Sequence, residues 1–317
     1  MKIVSLGPQG LKVPAVGLGC MGMSEFYGQS DDAKSLKLLD EALEIGCNFW
    51  DTADMYGPFT NEALLGKALA KRREKVILAT KFGVKRGQDG AWLGVSGSPE
   101  YVRTCCDASL KRLNTDYIDL YYQHRPDPEV PIEETIGTMT ELVQAGKIRY
   151  IGLSEASAED LEKANEIHPI SALQTELSLW SRDVEESILP KARELGIGFV
   201  AYSPLGRGFL TGTIQQREDL EPDDWRLSNP RFSAEAIAKN QKLVEKIKEI
   251  AAKKGVTPSQ AALAWVLAKG DDIAAIPGTR HVKYLHLNWD TQEITLSKKE
   301  NAELDAFSQN FKVAGER

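Results

Sequence analysis

Short, continuously apolar runs alternate with longer amphipathic segments along the whole chain, and this alternation restricts the fold more than any other feature. After an N-terminal stretch the runs are 15–19, 48–51, 76–81, 117–123, 148–154, 172–174, 198–203 and 272–277. Strands that read apolar on both faces need both faces covered. Strand–helix repeats without a break in composition imply a parallel sheet. Eight of them are expected to close into one α/β domain, a (β/α)8 TIM barrel over residues 1–317. The competing architecture is an open, doubly wound sheet.

Helix signals fill the gaps. Asp31 or Asp32 can cap a segment carrying Leu36, Leu39 and Leu43 and ending at Gly46. Ser98-Pro99-Glu100 opens another, Pro131 to Gly146 bounds a third, and Ser157 with Asp160 reads as a capping pair. Pro258 starts a helix through Trp265, and the final helix is expected at 298–307. Two segments lie outside the repeat. Residues 1–14 hold Gly7-Pro8 and Gly10 between β-like runs and predict a hairpin across the barrel bottom. Residues 204–234 form a connection long enough to be a lid or binding loop.

Charge and cysteines narrow the function. A formal charge of −7 argues against a nucleic-acid partner but leaves room for a local basic pocket. Cys20, Cys47, Cys105 and Cys106 have no CxxC spacing, and a reduced, cytoplasmic setting is expected. No signal peptide or membrane span is expected. The histidines at 124, 168, 281 and 286 form no metal-ligand pattern, so no metal is expected.

Gly17-Leu18-Gly19-Cys20-Met21-Gly22 spells GxGxxG after a strand-like run. A dinucleotide fingerprint needs a helix to start inside the motif, where its N-terminus holds the pyrophosphate. Here the helical pattern begins only near Asp31, so the motif reads as a tight βα loop.

Functional side chains gather at strand ends, which share one face of such a barrel. Lys81 ends an apolar strand, and its ammonium needs a buried partner, which Asp51 on the adjacent strand can supply. Tyr56 can reach back from a Gly-bounded loop, and a neighbouring ammonium would ease its ionisation. With His124 it could protonate a carbonyl oxygen while hydride arrives at carbon.

These residues carry a resemblance. Phe49-x-Asp51-Thr52-Ala53-x-x-Tyr56-Gly57 and Asn61-Glu62-x-x-Leu65-Gly66 resemble the aldo-keto reductase signature. So do Thr80-Lys81, Gln123-His124, Gly152-Leu153-Ser154, Gln174 and 276–280, in order along almost the whole chain. The likeness is greatest to the bacterial, fungal and plant branch with Tyr-Tyr-Gln-His-Arg and Gly-Leu-Ser-Glu-Ala-Ser. The resemblance implies NADPH-dependent reduction of aldehydes and some ketones. Tyr56 would be the general acid, Lys81 would lower its pKa, Asp51 would pair with Lys81 and His124 would orient the carbonyl.

For NADPH/NADP+, the resemblance places Ser154 and Gln174 on the nicotinamide carboxamide and Tyr202 on the ring face. Ser203, Pro204, Leu205, Gly206 and Arg207 would wrap the pyrophosphate, and Gly22 and Met23 would add contacts from the first loop. Gly278, Thr279, Arg280 and Lys283 precede or open a helix suited to a 2′-phosphate. Asn288 would meet the adenine. Two departures stand out: Leu287 replaces a common Glu, and Glu155 would bring a carboxylate to the carboxamide.

Tyr27, Met55, Trp92 and Trp180 are the expected substrate walls, an aromatic set suited to aryl or medium aliphatic aldehydes. The partner is thus a small carbonyl compound, with the oligomeric state undetermined. A cofactor-binding regulatory subunit is the alternative, and a Tyr56→Phe variant separates the two.

Overall fold

The computed structural model describes residues 1–87 and 89–316. A hairpin comes first: β1 (Ile3–Leu6) pairs antiparallel with β2 (Leu11–Pro14). The eight parallel strands follow as β3 (Leu18–Gly19), β4 (Phe49–Asp51), β5 (Ile77–Phe82), β8 (Ile118–Gln123), β9 (Ile148–Ser154), β10 (Ala172–Glu176), β11 (Gly198–Tyr202) and β12 (Ile273–Ala275). Parallel bridges Val16↔Ala275 and Gly19↔Gly278 join the last strand to the first and close the barrel. A second hairpin, β6 (Val84–Arg86) with β7 (Trp92–Val95), rises after β5; the sequence reading did not anticipate it.

The helices are α1 (Asp32–Glu44), α2 (Thr60–Leu69), α3 (Pro99–Leu113), α4 (Ile132–Gln144), α5 (Ala158–Ile167), α6 (Ile188–Glu194), α7 (Ala234–Lys254), α8 (Pro258–Leu267), α9 (Val282–Asp290) and α10 (Lys298–Asn310). Their starts follow local chemistry. Asp31 rather than Asp32 caps α1, accepting from the Lys34 amide, and Ser98 accepts from Tyr101. Ser157 and Asp160 form a reciprocal capping box. α10 runs three residues beyond the predicted 307.

α8 is apolar on almost every side and is correspondingly buried from Gln260 to Leu267. The first hairpin seals the barrel bottom: a side chain at Gly198, the first residue of β11, would lie 2.6 Å from Leu6 Cα, so only glycine allows the approach. The long connection is a chain of short 3-10 turns before α7. The GxGxxG segment leads only into one such turn, Met21–Met23, and the next helix starts at Asp32. Among the described residues no helix is long and apolar enough to cross a membrane.

Candidate active site

The C-terminal ends of the strands surround a cavity of about 1070 Å³. At its floor, β4 and β5 pair with Asp51 opposite Ala79, which sets Asp51 beside Lys81. Lys81 is fully buried, and its ammonium donates to Asp51 Oδ1 and, at 2.8 Å, to the Thr52 carbonyl. Gln174 Nε2 donates to the other Asp51 oxygen at 2.8 Å. Each charge is thus compensated, as a buried pair requires. Burial pushes the Asp51 carboxyl up and the Lys81 ammonium down, and their mutual attraction opposes both shifts.

The strand pairing continues past β4 through the Thr52 amide to Ala79 O and the Asp54 amide to Lys81 O. This carries the chain into a turn that sets Tyr56 over Lys81, with the ammonium 5.4 Å from the ring centroid. Asn61 and Glu62, part of the quoted signature, hold this turn in place. Asn61 donates to Cys20 O and Ser24 Oγ, and Glu62 accepts from Thr80 and Arg112.

The His124 and Tyr56 rings lie edge to face, 5.8 Å apart. His124 Nδ1 is buried without a partner among the described residues. Burial, with the Lys81 and Arg125 charges, holds the imidazole well below its usual 6.5, so the ring is neutral. The expected lowering of the Tyr56 pKa is not what these surroundings produce. Burial and then Asp51 raise it above its ordinary value, and Arg125 is the cation that opposes them. The physical reason is that burial of the phenol penalises its charged form more than the nearby cation favours it.

Of the expected cofactor residues, Gly22, Ser154, Gln174, Tyr202, Ser203, Pro204, Leu205, Arg207, Gly278, Thr279, Arg280, Lys283 and Asn288 line the cavity. Met23 and Gly206 do not; Met23 is fully buried in the core and Gly206 packs on Trp180. Trp180 is not a cavity wall either. It stacks on Phe209 at 5.0 Å and meets Phe232 edge-on, because the long connection folds back over it. Tyr27 and Met55 line the cavity, as does Trp92, which stands 60% exposed on the β6–β7 hairpin. Glu155 is not part of the cavity lining and accepts from the Glu176 amide at 3.2 Å.

Several contributors escaped the sequence reading. Arg125 reaches the cavity and donates to Ser154 Oγ at 3.3 Å. Glu176, buried at the end of β10, accepts from Arg207 at 3.3 Å, and Arg226 donates to Arg207 O at 2.7 Å. A charge ending an apolar strand, the signal that marked Lys81, could have marked Glu176. The first loop and the long connection meet at the cavity wall, where the Trp225 amide donates to Phe26 O and Arg226 stacks on Tyr27.

Six cations line the cavity, namely Arg86, Arg125, Arg207, Arg226, Arg280 and Lys283, against the single carboxylate Asp51 among the described residues. Arg86, Arg207 and Arg226 are paired with carboxylates outside the lining, which leaves Arg125, Arg280 and Lys283 as the cations without one among the described residues. One end carries Tyr56, the neutral His124 and Arg125, and the other, at the start of α9, carries Arg280 and Lys283. That division fits a dinucleotide with an uncharged ring at one end and phosphates toward the other.

The aldo/keto reductase family model matches residues 15–309, and the chain belongs to that family. Its members are oxidoreductases of carbonyl groups that use nicotinamide cofactors. The fold and length agree with solved members. A thermostable aldo-keto reductase, Tm1743, crystallised with the inhibitor epalrestat, is 33% identical, with 96% of this chain and 99% of that one covered and a TM-score of 0.80. The glycerol dehydrogenase AKR11B4 from Gluconobacter oxydans is 28% identical over 100% and 98%, with a TM-score of 0.89. The holo form of the aldo-keto reductase AKR11C1 from Bacillus halodurans is 30% identical over the same shares, with a TM-score of 0.81.

Proposed function

We propose that this protein reduces aldehydes, and some ketones, to alcohols with NADPH. The observation that carries the reading is the grouping of Tyr56 and the neutral His124 above the buried Asp51–Lys81 pair. Bound NADPH supplies hydride to the carbonyl carbon. Tyr56 Oη, kept protonated at neutral pH, donates its proton to the carbonyl oxygen. The neutral His124 donates a hydrogen bond from one ring N–H to that same oxygen. Lys81 and Arg125 place positive charge near the phenolate left behind.

Ser154 and Gln174 would hold the nicotinamide carboxamide, and Tyr202 would cover one ring face. Arg207 would meet the pyrophosphate after leaving Glu176. Arg280, which now donates to the Gln29 carbonyl, and Lys283 at the start of α9 would grip a 2′-phosphate. Asn288 would bond the adenine.

The test follows NADPH absorbance with an activated aryl aldehyde. NADPH is consumed by the wild type, and Tyr56→Phe slows turnover about 10²–10⁴-fold while tryptophan quenching by NADPH persists. Equal turnover by the variant removes Tyr56 from the chemistry. Arg280→Ala is expected to weaken NADPH about 10- to 100-fold and NADH little. Equal losses would place Arg280 elsewhere.

A further inference from the structure

The arginines facing the cavity differ in how their charge is met. Arg86 is paired with Glu25 at 2.7 Å, Arg207 with Glu176 at 3.3 Å and Arg226 with Asp224 at 2.6 Å. Arg125 has no carboxylate within ion-pair distance among the described residues. Among the described residues its hydrogen bonds use Nη1 alone, at 2.6 Å to its neighbour's carbonyl, His124 O, and at 3.3 Å to Ser154 Oγ. The rest of the planar fork is left to the cavity that it lines. A half-buried guanidinium in that situation has donors to offer and a charge to compensate.

Position decides what compensates it. Arg125 directly follows His124 and bonds Ser154, so it belongs to the reacting end of the cavity. The cofactor's phosphates fall to Arg207 and Arg280, and its carboxamide is neutral and already assigned to Ser154 and Gln174. What remains for Arg125 is an anionic group on the compound being reduced. A carboxylate matches the fork in charge and in planar, two-oxygen shape.

We propose that Arg125 selects carbonyl substrates that also carry a carboxylate, so that aldehyde and oxo acids are preferred over neutral compounds of the same shape. This deepens the reductase reading and rests on it. Neutral aldehydes still react, since the carbonyl is handled by Tyr56 and His124.

The test uses 3- and 4-carboxybenzaldehyde, each against its own methyl ester, which removes the charge and keeps the ring and aldehyde. In the wild type kcat/KM favours the acids. In Arg125→Met the acid-to-ester ratio falls about 10- to 100-fold, the loss expected for a charge-assisted hydrogen-bonded pair. Arg125→Lys, which keeps the charge without the fork, lies between them and guards against a folding defect. NADPH affinity, read by tryptophan quenching, is the control on the cofactor side.

A wild-type preference for the esters, or a ratio unmoved by Arg125→Met, overturns the proposal. So does a loss of NADPH affinity that accounts for the whole effect. If neither acids nor esters consume NADPH, the reductase reading fails by itself. Terephthalate then probes the anion site directly: quenching that Arg125→Met abolishes supports the site, and no quenching overturns it.

Discussion

Asp51 and Lys81 divide two duties that a single substitution confuses. Both are buried, so removing either leaves the other as an uncompensated charge. Lys81→Met or Asp51→Asn alone is expected to lower stability by about 3–5 kcal/mol in denaturant melts. The double variant should recover part of that loss while remaining slow, because it no longer strands a charge. If it is no more stable than the singles, the pair is not coupled as described. His124 adds a pH term. Its folded pKa lies well below 6.5, so between the two values the unfolded chain binds more protons. The stability it contributes is whole above 6.5 and is lost as pH falls below. Thermal melts at neutral pH and about one unit below His124's usual value should therefore show a larger acid loss in the wild type than in His124→Asn. Equal losses would mean that the imidazole is not held neutral.

At the level of elements, the quoted signature is as much about packing as about chemistry. Gly66 in α2 faces α3 so closely that a Cβ would lie 2.4 Å from Arg112 O, a backbone atom that cannot step aside. Gly66→Ala should push the helices apart and cost about 1–3 kcal/mol. It should also slow turnover, since α2 carries Asn61 and Glu62, which hold the Tyr56 turn. A variant with unchanged melting and activity would show that α2 shifts freely. The β6–β7 hairpin works differently. It presents Trp92 and Leu93 largely to solvent at the rim, while Arg86 reaches down to Glu25, whose carboxylate also accepts from the Gly57 amide beside Tyr56.

Across the whole molecule, an acidic chain surrounds a basic cavity. Cofactor affinity should then weaken with ionic strength, since screening lengths fall from about 10 Å at 0.1 M salt to about 3 Å at 1 M. If Arg280 and Lys283 hold the 2′-phosphate as proposed, NADPH should lose more affinity than NADH across that range. Parallel salt dependence for the two cofactors would separate the 2′-phosphate from these residues.

What the sequence determined by itself was local or periodic. The eight repeats, the caps at Ser98 and Ser157, a cap at Asp31 or Asp32, the bottom hairpin and the strand ends bearing Asp51, Lys81, Ser154 and Gln174 follow from alternation, capping chemistry and motif spacing. So does the rejection of the GxGxxG segment as a helix-borne fingerprint. The tertiary structure decided matters that depend on partners distant in sequence. Trp180 belongs to the core because Phe209 and Phe232 return to cover it. Tyr56 has a raised pKa because burial dominates and the Asp51 carboxylate adds to it. Arg86, Arg207 and Arg226 have their charge met because Glu25, Glu176 and Asp224 fold against them, whereas no carboxylate among the described residues folds against Arg125. Charge compensation is a property of neighbours in space, and no reading of spacing along the chain supplies it.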